Sequence, residues 1–298
     1  MSLSHESEAE YALTHTPTGM KSHIRQLIIP EEDVSPVPYP MTTYRAWAPT
    51  DVLKTEPNIA ALMEQPSSNV WLGPGRHVIV YPAEGGNILA INGTYPERND
   101  AVGAWNKAAS VEEVQHQSRE FDSLVQSVLA EARDCKSWAL AEVPRLPRWT
   151  SRSGKVVLVG DAAHGMLQFL AQGAAMATED TGALAECVRA IETKADVPAA
   201  MRLYERSRKW RCERVQSQVR RNRECIHMPN GEEQEHRDRK MAGEALSTDQ
   251  EVDCGPLLDE KFTSWLYSHN AIERVNLPSQ IQIHSWRRLL TDSARQNS

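Results

Sequence analysis

Residues able to do chemistry are densest between Val156 and Glu179, in the stretch VVLVGDAAHGMLQFLAQGAAMATE. It reads as an apolar strand, a Gly-Asp pair, a tight loop and a helix entered through small residues. Gly160 lets a ligand approach the backbone, and Asp161 sets a carboxylate at the C-terminal end of a strand, where α/β folds bind their ligands. A carboxylate there accepts hydrogen bonds from sugar or polyol hydroxyls. Gln172-Gly173-Ala174-Ala175 puts no bulky side chain at the helix start. Its free N–H groups and the positive end of the helix dipole can therefore face an anionic or electron-rich ring. Gly-Asp alone would suit any strand-turn-helix; the pairing with a small-residue helix start makes the signal specific.

The elements that must position these residues follow from periodicity. Residues 1 to about 18 are polar and aperiodic and read as a loose terminus. Gly19 to Ile28 suits a short helix, and Pro30, Pro36, Pro38 and Pro40 force an extended connection after it. From Met41 to Pro96 the runs TTYRAW, NVWL, RHVIVYP and NILAINGTYP predict strands of a mostly antiparallel sheet. Asn92-Gly93-Thr94 matches a glycosylation sequon and reads more simply as a turn between two strands.

Apolar residues at helical spacing predict one amphipathic helix over Glu112 to Ala132, and Lys155 to Val159 reads as a strand buried on both faces. Helices follow over about Gly173 to Ile191, with Met176, Leu184, Cys187, Val188 and Ile191 along one side, and over about Pro198 to Cys225. The second carries Arg202, Arg206, Arg208, Lys209, Arg211, Arg214, Arg220, Arg221 and Arg223, interrupted by Glu205, Glu213 and Glu224, and reads as a solvated face. NGEEQEHRDRK is charged and loop-like, and Phe262 to Tyr267 returns aromatic residues to a core.

With 298 residues, 40% hydrophobic and 24% charged, the composition is that of an ordinary globular protein. A net charge of -7 argues against a nucleic-acid partner. No stretch approaches the roughly 18 apolar residues of a membrane span. Cys135, Cys187, Cys212, Cys225 and Cys254 never form C-x-x-C and read as reduced thiols. Glu6, Glu8 and Glu10 stand where a secretory signal needs an apolar run, so a cytoplasmic location is expected.

Gly160-Asp161-Ala162-Ala163-His164-Gly165-Met166 and Ala171-Gln172-Gly173-Ala174 resemble paired motifs of the para-hydroxybenzoate-hydroxylase-like family of FAD-dependent aromatic monooxygenases. Other segments resemble it in order: Gly19 to Arg25, Thr43-Tyr44-Arg45-Ala46-Trp47, and Gly73 to Pro82. His227 to Gly231 and Trp265-Leu266-Tyr267 look like the tail of its salicylate-hydroxylase-like fungal branch. The resemblance implies that Asp161 bonds the flavin ribityl chain, and that Gly173 and Ala174 face the isoalloxazine. It further implies FAD as cofactor, NAD(P)H as co-substrate, and hydroxyl transfer from a C4a-hydroperoxyflavin to an electron-rich phenol or related secondary-metabolite intermediate. Arg45 could then hold a phenolate or carboxylate and Tyr81 orient the ring, with a surface ion pair and a core aromatic as their bland alternatives. His164 reads as a loop-packing residue.

The sequence departs from the family at Gly165 and Gln168, where prolines usually stand, which suggests a looser loop. The family's opening G-x-G-x-x-G unit has no counterpart in this sequence, so a weakened FAD site and a sheet edge open to a homo- or hetero-oligomeric partner are expected. The expected fold is α+β, an α/β flavin-domain remnant plus a mixed, mostly antiparallel substrate sheet. Its parts are residues 1–37, a sheet domain at 38–145, the rest of the flavin domain at 146–228 and a tail at 229–298. A monooxygenase acting on a small aromatic substrate is the leading reading. An inactive pathway partner and a non-redox catalyst using Arg45, Tyr81 and His164 are the alternatives.

Overall fold

The computed structural model describes residues 19–53, 59, 60, 63, 67–96, 105–243 and 255–275. The expectations for residues 1–18 and for Cys254 lie outside that set. The strands are β1 (Val37–Pro49), β2 (Asn69–Gly73), β3 (Arg76–Ala83), β4 (Ile88–Pro96), β5 (Trp105–Ala108) and β6 (Arg133–Glu142). The helices used below are α1 (His23–Ile28), α2 (Thr50–Leu53), α3 (Val111–Ser118), α4 (Ser123–Ala130), α5 (Asp161–His164), α6 (Gly173–Arg189), α7 (Val197–Ile226), α8 (Glu232–Met241) and α9 (Glu260–Tyr267). The chain divides into two units. One comprises residues 1–37, 142–220 and 261–298, and the other residues 38–141 and 221–260.

The second unit is built on a six-stranded sheet in the order β2-β3-β4-β1-β6-β5. β2 with β3, β3 with β4, β4 with β1 and β5 with β6 pair antiparallel. Alternation along each strand sends Tyr44, Ala46, Ala48, Val78, Val80, Leu89, Ile91 and Tyr95 to one face. There they pack with Val114 of α3 and Val125, Val128 and Leu129 of α4. Arg45, Asn92 and Tyr81 belong to the opposite face. The sequon is not a turn: Asn92-Gly93-Thr94 lies inside β4, opposite Arg45, Tyr44 and Thr43. Its glycine makes room for an aromatic ring, because a Cβ on Gly93 would come within 2.5 Å of the Tyr95 hydroxyl.

The expected single helix over Glu112 to Ala132 is two. Asp122 breaks it, its carboxylate accepting from the N–H groups of Leu124 and Val125 and starting α4 afresh. Two strands went unread, β5 and β6, the latter with no β-branched residue to announce it. NGEEQEHRDRK folds as α8 and not as a loop. Glu232, Glu233 and Glu235 sit in its first turn and Arg239 and Lys240 in its last, complementing the helix dipole. Arg237 is buried and donates to the Cys225 carbonyl at 2.7 Å.

In the first unit, Lys155 to Val159 forms no strand ladder. Among the described residues only Val157 makes a bridge, to Thr150, and Val156, Val157 and Val159 are half-buried while Leu158 is buried. Among the described residues its backbone neighbour is the 149–151 segment, which supplies one side only. The buried positions of α6 are Met176, Asp180, Ala183, Glu186 and Cys187, so an aspartate occupies the centre of the face expected to be apolar. The solvated-face reading of α7 also fails. Arg208 is 1% and Arg211 2% exposed, and of the basic residues named only Arg206 is fully exposed. The charges of Arg208 and Arg211 are met by Glu179 and Asp180 of α6, that of Arg220 by Glu142 of β6 and that of Lys209 by Glu213 one turn on.

Candidate functional site

The Gly160–His164 turn sits where the sequence motif put it, and its geometry explains its composition. Gly160 has φ 61° and ψ −142°, a conformation open essentially to glycine alone. A Cβ there would lie 3.4 Å from Ala177 Cβ, so the turn packs against the second turn of α6. Asp161 follows at the start of α5 and is exposed. Gly165 is not a loose substitute for proline. Its carbonyl accepts from Val143 N–H at 2.8 Å, and a Cβ would collide with Met20 Sδ and come within 2.9 Å of the Asp161 carbonyl. Arg25 ties the same loop down from α1, donating from Nη1 to Ala162 O (3.0 Å), from Nη2 to Met20 O (2.7 Å) and from Nε to Val34 O (2.8 Å).

α6 begins bare. No side chain caps it, and its first intrahelical bond, from Met176 N–H to Gln172 O, leaves the preceding N–H groups without helical partners. Ala174 and Ala175 are exposed, and a Cβ on Gly173 would meet nothing within 4 Å. Ala171, just before, is held at φ 52°, a left-handed conformation uncommon for alanine. Strain of this kind gathers where a ligand is clamped.

Behind this surface lies a network that sequence reasoning did not find. Asp180, fully buried, accepts from Gly160 N–H (2.9 Å), lies 2.6 Å from His164 Nε2, and accepts from Arg208 Nε (2.8 Å). Glu179 takes Arg208 Nη1 (2.5 Å) and Arg211 Nε (2.7 Å). Burial pushes the Asp180 carboxyl up, but His164 and Arg208 outweigh it and hold it below the usual carboxylate range. Burial likewise opposes a charge on His164, and the Cys212 sulfur and Asp180 outweigh it, pushing the imidazole up to about 10. His164 is therefore more than loop packing: it joins the Asp161 turn to α6. The detectable signal was the pair Glu179-Asp180 on α6 matched by Arg208 and Arg211 three apart on α7.

His164, Asp180 and Cys212 offer ligand atoms within 4.8 Å of one another. Arg208 fills the role of the cation there, bonding Asp180 and placing Nη2 3.7 Å from Cys212 Sγ. The cluster is structural.

On the sheet, register aligns the other two expected site residues. Arg45 of β1 pairs with Asn92 of β4, and Asn92 Nδ2 reaches the Tyr81 hydroxyl of β3 at 3.5 Å. Arg45, Asn92 and Tyr81 thus form a polar row across three strands; Asn92 was not foreseen. Arg45 is exposed, and among the described residues no carboxylate pairs with it. Its guanidinium instead lies 4.9 Å from the centre of the Trp138 ring, which leaves its N–H edges available. Tyr81 is 36% exposed and not a core aromatic. Elsewhere in this unit, His77 Nδ1 and His227 Nε2 lie 2.7 Å apart, both buried. Burial pushes His77 down to about 4, and burial with neighbouring His77, Arg223 and Arg237 pushes His227 down to about 3.

A glycine-turn carboxylate beside a bare helix start, and an antiparallel sheet bearing a polar row, make up an α+β architecture. The chain belongs to the FAD binding domain family, whose pattern it matches over residues 19–219. It is 30% identical over 263 residues to FAD-dependent monooxygenase OpS4 of Beauveria bassiana, covering 85% of this chain and 59% of that protein. It is 31% identical over 221 residues to FAD-dependent monooxygenase atnJ of Arthrinium sp, covering 74% of this chain and 52% of that one. With 3-hydroxybenzoate 6-hydroxylase 1 of Aquipseudomonas alcaligenes it shares 29% identity over 260 residues, 86% of this chain and 59% of that protein. The chain thus spans between half and six tenths of the length of these relatives. Among solved structures, a salicylate hydroxylase substrate complex superposes with a TM-score of 0.69 at 22% identity, over 87% of this chain and 62% of that one. CtdE in complex with FAD and a substrate gives 0.71 at 20% identity, over 90% and 62%. These likenesses establish the fold. No helix among the described residues is long and apolar enough to cross a membrane.

The residues present are compatible with the ring-side part of an FAD site: Asp161 is an exposed carboxylate, and the start of α6 leaves backbone N–H groups open to a ligand.

Proposed function

We propose that this chain carries the flavin-ring and substrate-contacting parts of an FAD-dependent monooxygenase that hydroxylates an aromatic, phenolic substrate, with NAD(P)H as co-substrate. The observation that carries the reading is the exposed, uncapped start of α6 beside the glycine turn that presents Asp161. Family membership and the relatives' activities support it. When bound, FAD supplies the oxygen-activating redox chemistry. Asp161 accepts hydrogen bonds from the ribityl chain, and the N–H groups at Gly173 and Ala174 stabilise negative charge on the ring. The Asp180–His164–Arg208 network holds that turn against α6, so the acceptor is in place before the ligand arrives.

On the sheet, Arg45 binds the carboxylate or phenolate of the substrate through N–H edges that no carboxylate among the described residues occupies. Its fixed positive charge favours the deprotonated phenol, the more electron-rich nucleophile. Tyr81, receiving the Asn92 amide, is free to donate its own proton to a substrate oxygen and set the ring's orientation. The test is a titration of FAD fluorescence with the 298-residue chain. Quenching that is lost in Asp161→Ala, with substrate-stimulated NAD(P)H oxidation lost in Arg45→Ala, is the expected result. FAD affinity unchanged in Asp161→Ala would overturn the assignment.

A further inference from the structure

The sheet face that carries Arg45 continues towards β6 as a groove of about 680 Å³, bounded by Arg45, Trp47, Asn106, Asp134, Lys136 and Trp138. Cys135 and Ala139 of β6 turn into the core, so Asp134, Lys136 and Trp138 share the face of Arg45 and Trp47. The groove is framed by its own contacts. Trp47 Nε1 donates to Asp134 Oδ2 at 3.1 Å, and the Arg45 guanidinium stacks on Trp138. Those bonds fix two indoles as walls. Trp47 also engages one oxygen of the groove's carboxylate, whereas among the described residues neither Arg45 nor Lys136 has a carboxylate partner. The lining therefore offers two cations, one carboxylate held by an indole N–H, and two large aromatic side chains, for a net charge of +1.

That volume falls in the range of roughly 300–1,000 Å³ that houses extended, drug-sized ligands. A single hydroxybenzoate ring would leave most of it to water, and would leave uncovered the indole surface that Arg45 and Arg133 do not already cover. We infer that the substrate is an elongated aromatic acid and not a bare hydroxybenzoate: its acid group lies with Arg45 and Lys136, and an apolar extension runs over Trp47 and Trp138. This rests on the proposed function and specifies its substrate class.

The test is binding without turnover. Tryptophan fluorescence of the 298-residue chain is titrated with para-hydroxybenzoate, with a hydroxybiphenyl carboxylate, and with the methyl ester of the latter. The biphenyl acid should bind about 30-fold more tightly than the single-ring acid, the factor that burying one further phenyl ring supplies. The ester should lose most of that affinity, as should the acid with Lys136→Ala, an exposed position whose replacement leaves the core untouched. Trp138→Ala, checked for folding by circular dichroism, should bring the biphenyl acid down to the single-ring value. Equal affinity for the two acids, an ester as tight as its acid, or no binding of either acid would overturn the inference. FAD titration of the same preparation separates the two claims: Asp161-dependent quenching with equal acid affinities leaves the monooxygenase reading standing, and its absence removes that reading first.

Discussion

Asp180→Ala removes the acceptor shared by Gly160 N–H, His164 and Arg208, at 2.9, 2.6 and 2.8 Å. All three partners are buried, so none can turn to water when the carboxylate goes. Breaking a buried ion pair from one side costs about 3–5 kcal/mol, most of it the stranded charge. Glu179 stays on Arg208 Nη1, which places the expected loss near about 3 kcal/mol. Because stranding is the cause, Asp180→Ala combined with Arg208→Met should be less destabilised than the sum of the two single variants, by about 1–3 kcal/mol. Urea unfolding gives the four free energies, and hydrogen exchange at the Gly160 amide reports the turn itself. Asp161→Ala is the contrasting variant: exposed, it should stay within about 0.5 kcal/mol of the parent while abolishing FAD quenching. Asp180→Ala should lose both. Additive costs in the cycle, or an Asp180→Ala protein as stable as the parent with an unchanged Gly160 amide, would refute the network as the support of the turn.

Three further outcomes are expected. His77 and His227 are held neutral by burial, pushed down to about 4 and about 3. In the unfolded chain they take up protons below about pH 6.5, so their contribution to stability is fully present above that pH and is lost as pH drops towards 4, by about 1.4 kcal/mol per unit for each histidine. At pH 5 the pair should lower the unfolding free energy by about 4 kcal/mol relative to pH 6.5, and an equal slope between pH 6.5 and 5 in a His77→Gln–His227→Gln variant would count against it. Gly93→Ala should destabilise by about 1–3 kcal/mol in thermal melts, because Tyr95 is pinned by Ser118 and cannot retreat from the new methyl; a neutral result would show that the ring moves. Ala171→Gly should raise the urea midpoint, gaining about 0.5–1 kcal/mol by relieving the left-handed alanine, whereas a loss would mean that the conformation is unstrained.

What could be read from the sequence was what local chemistry decides. β1 to β4 were legible because β-branched and aromatic runs alternate between glycines and prolines, and the Asp161 turn and the start of α6 were legible because a glycine-only turn and a small-residue helix start leave fixed residue types. What failed depends on partners far along the chain. RDCKSWALAE makes β6 because β1 and β5 flank it, not through its own propensity. The arginines of α7 look solvated until Glu179 and Asp180, about thirty residues earlier, are placed against them. A helical face counted by hydropathy passes over Asp180 as an interruption, yet three bonds converge on it. The two failures have one cause: a buried charge is recorded in the sequence only as a pair, and neither half signals the other. The same logic separates Arg45 from Arg208. Both are arginines on regular elements, but Arg208 finds its carboxylates within its own unit, while Arg45 has an indole beneath it and no carboxylate beside it among the described residues. A cation without an anion beside it among the described residues is the one suited to take an anion from outside.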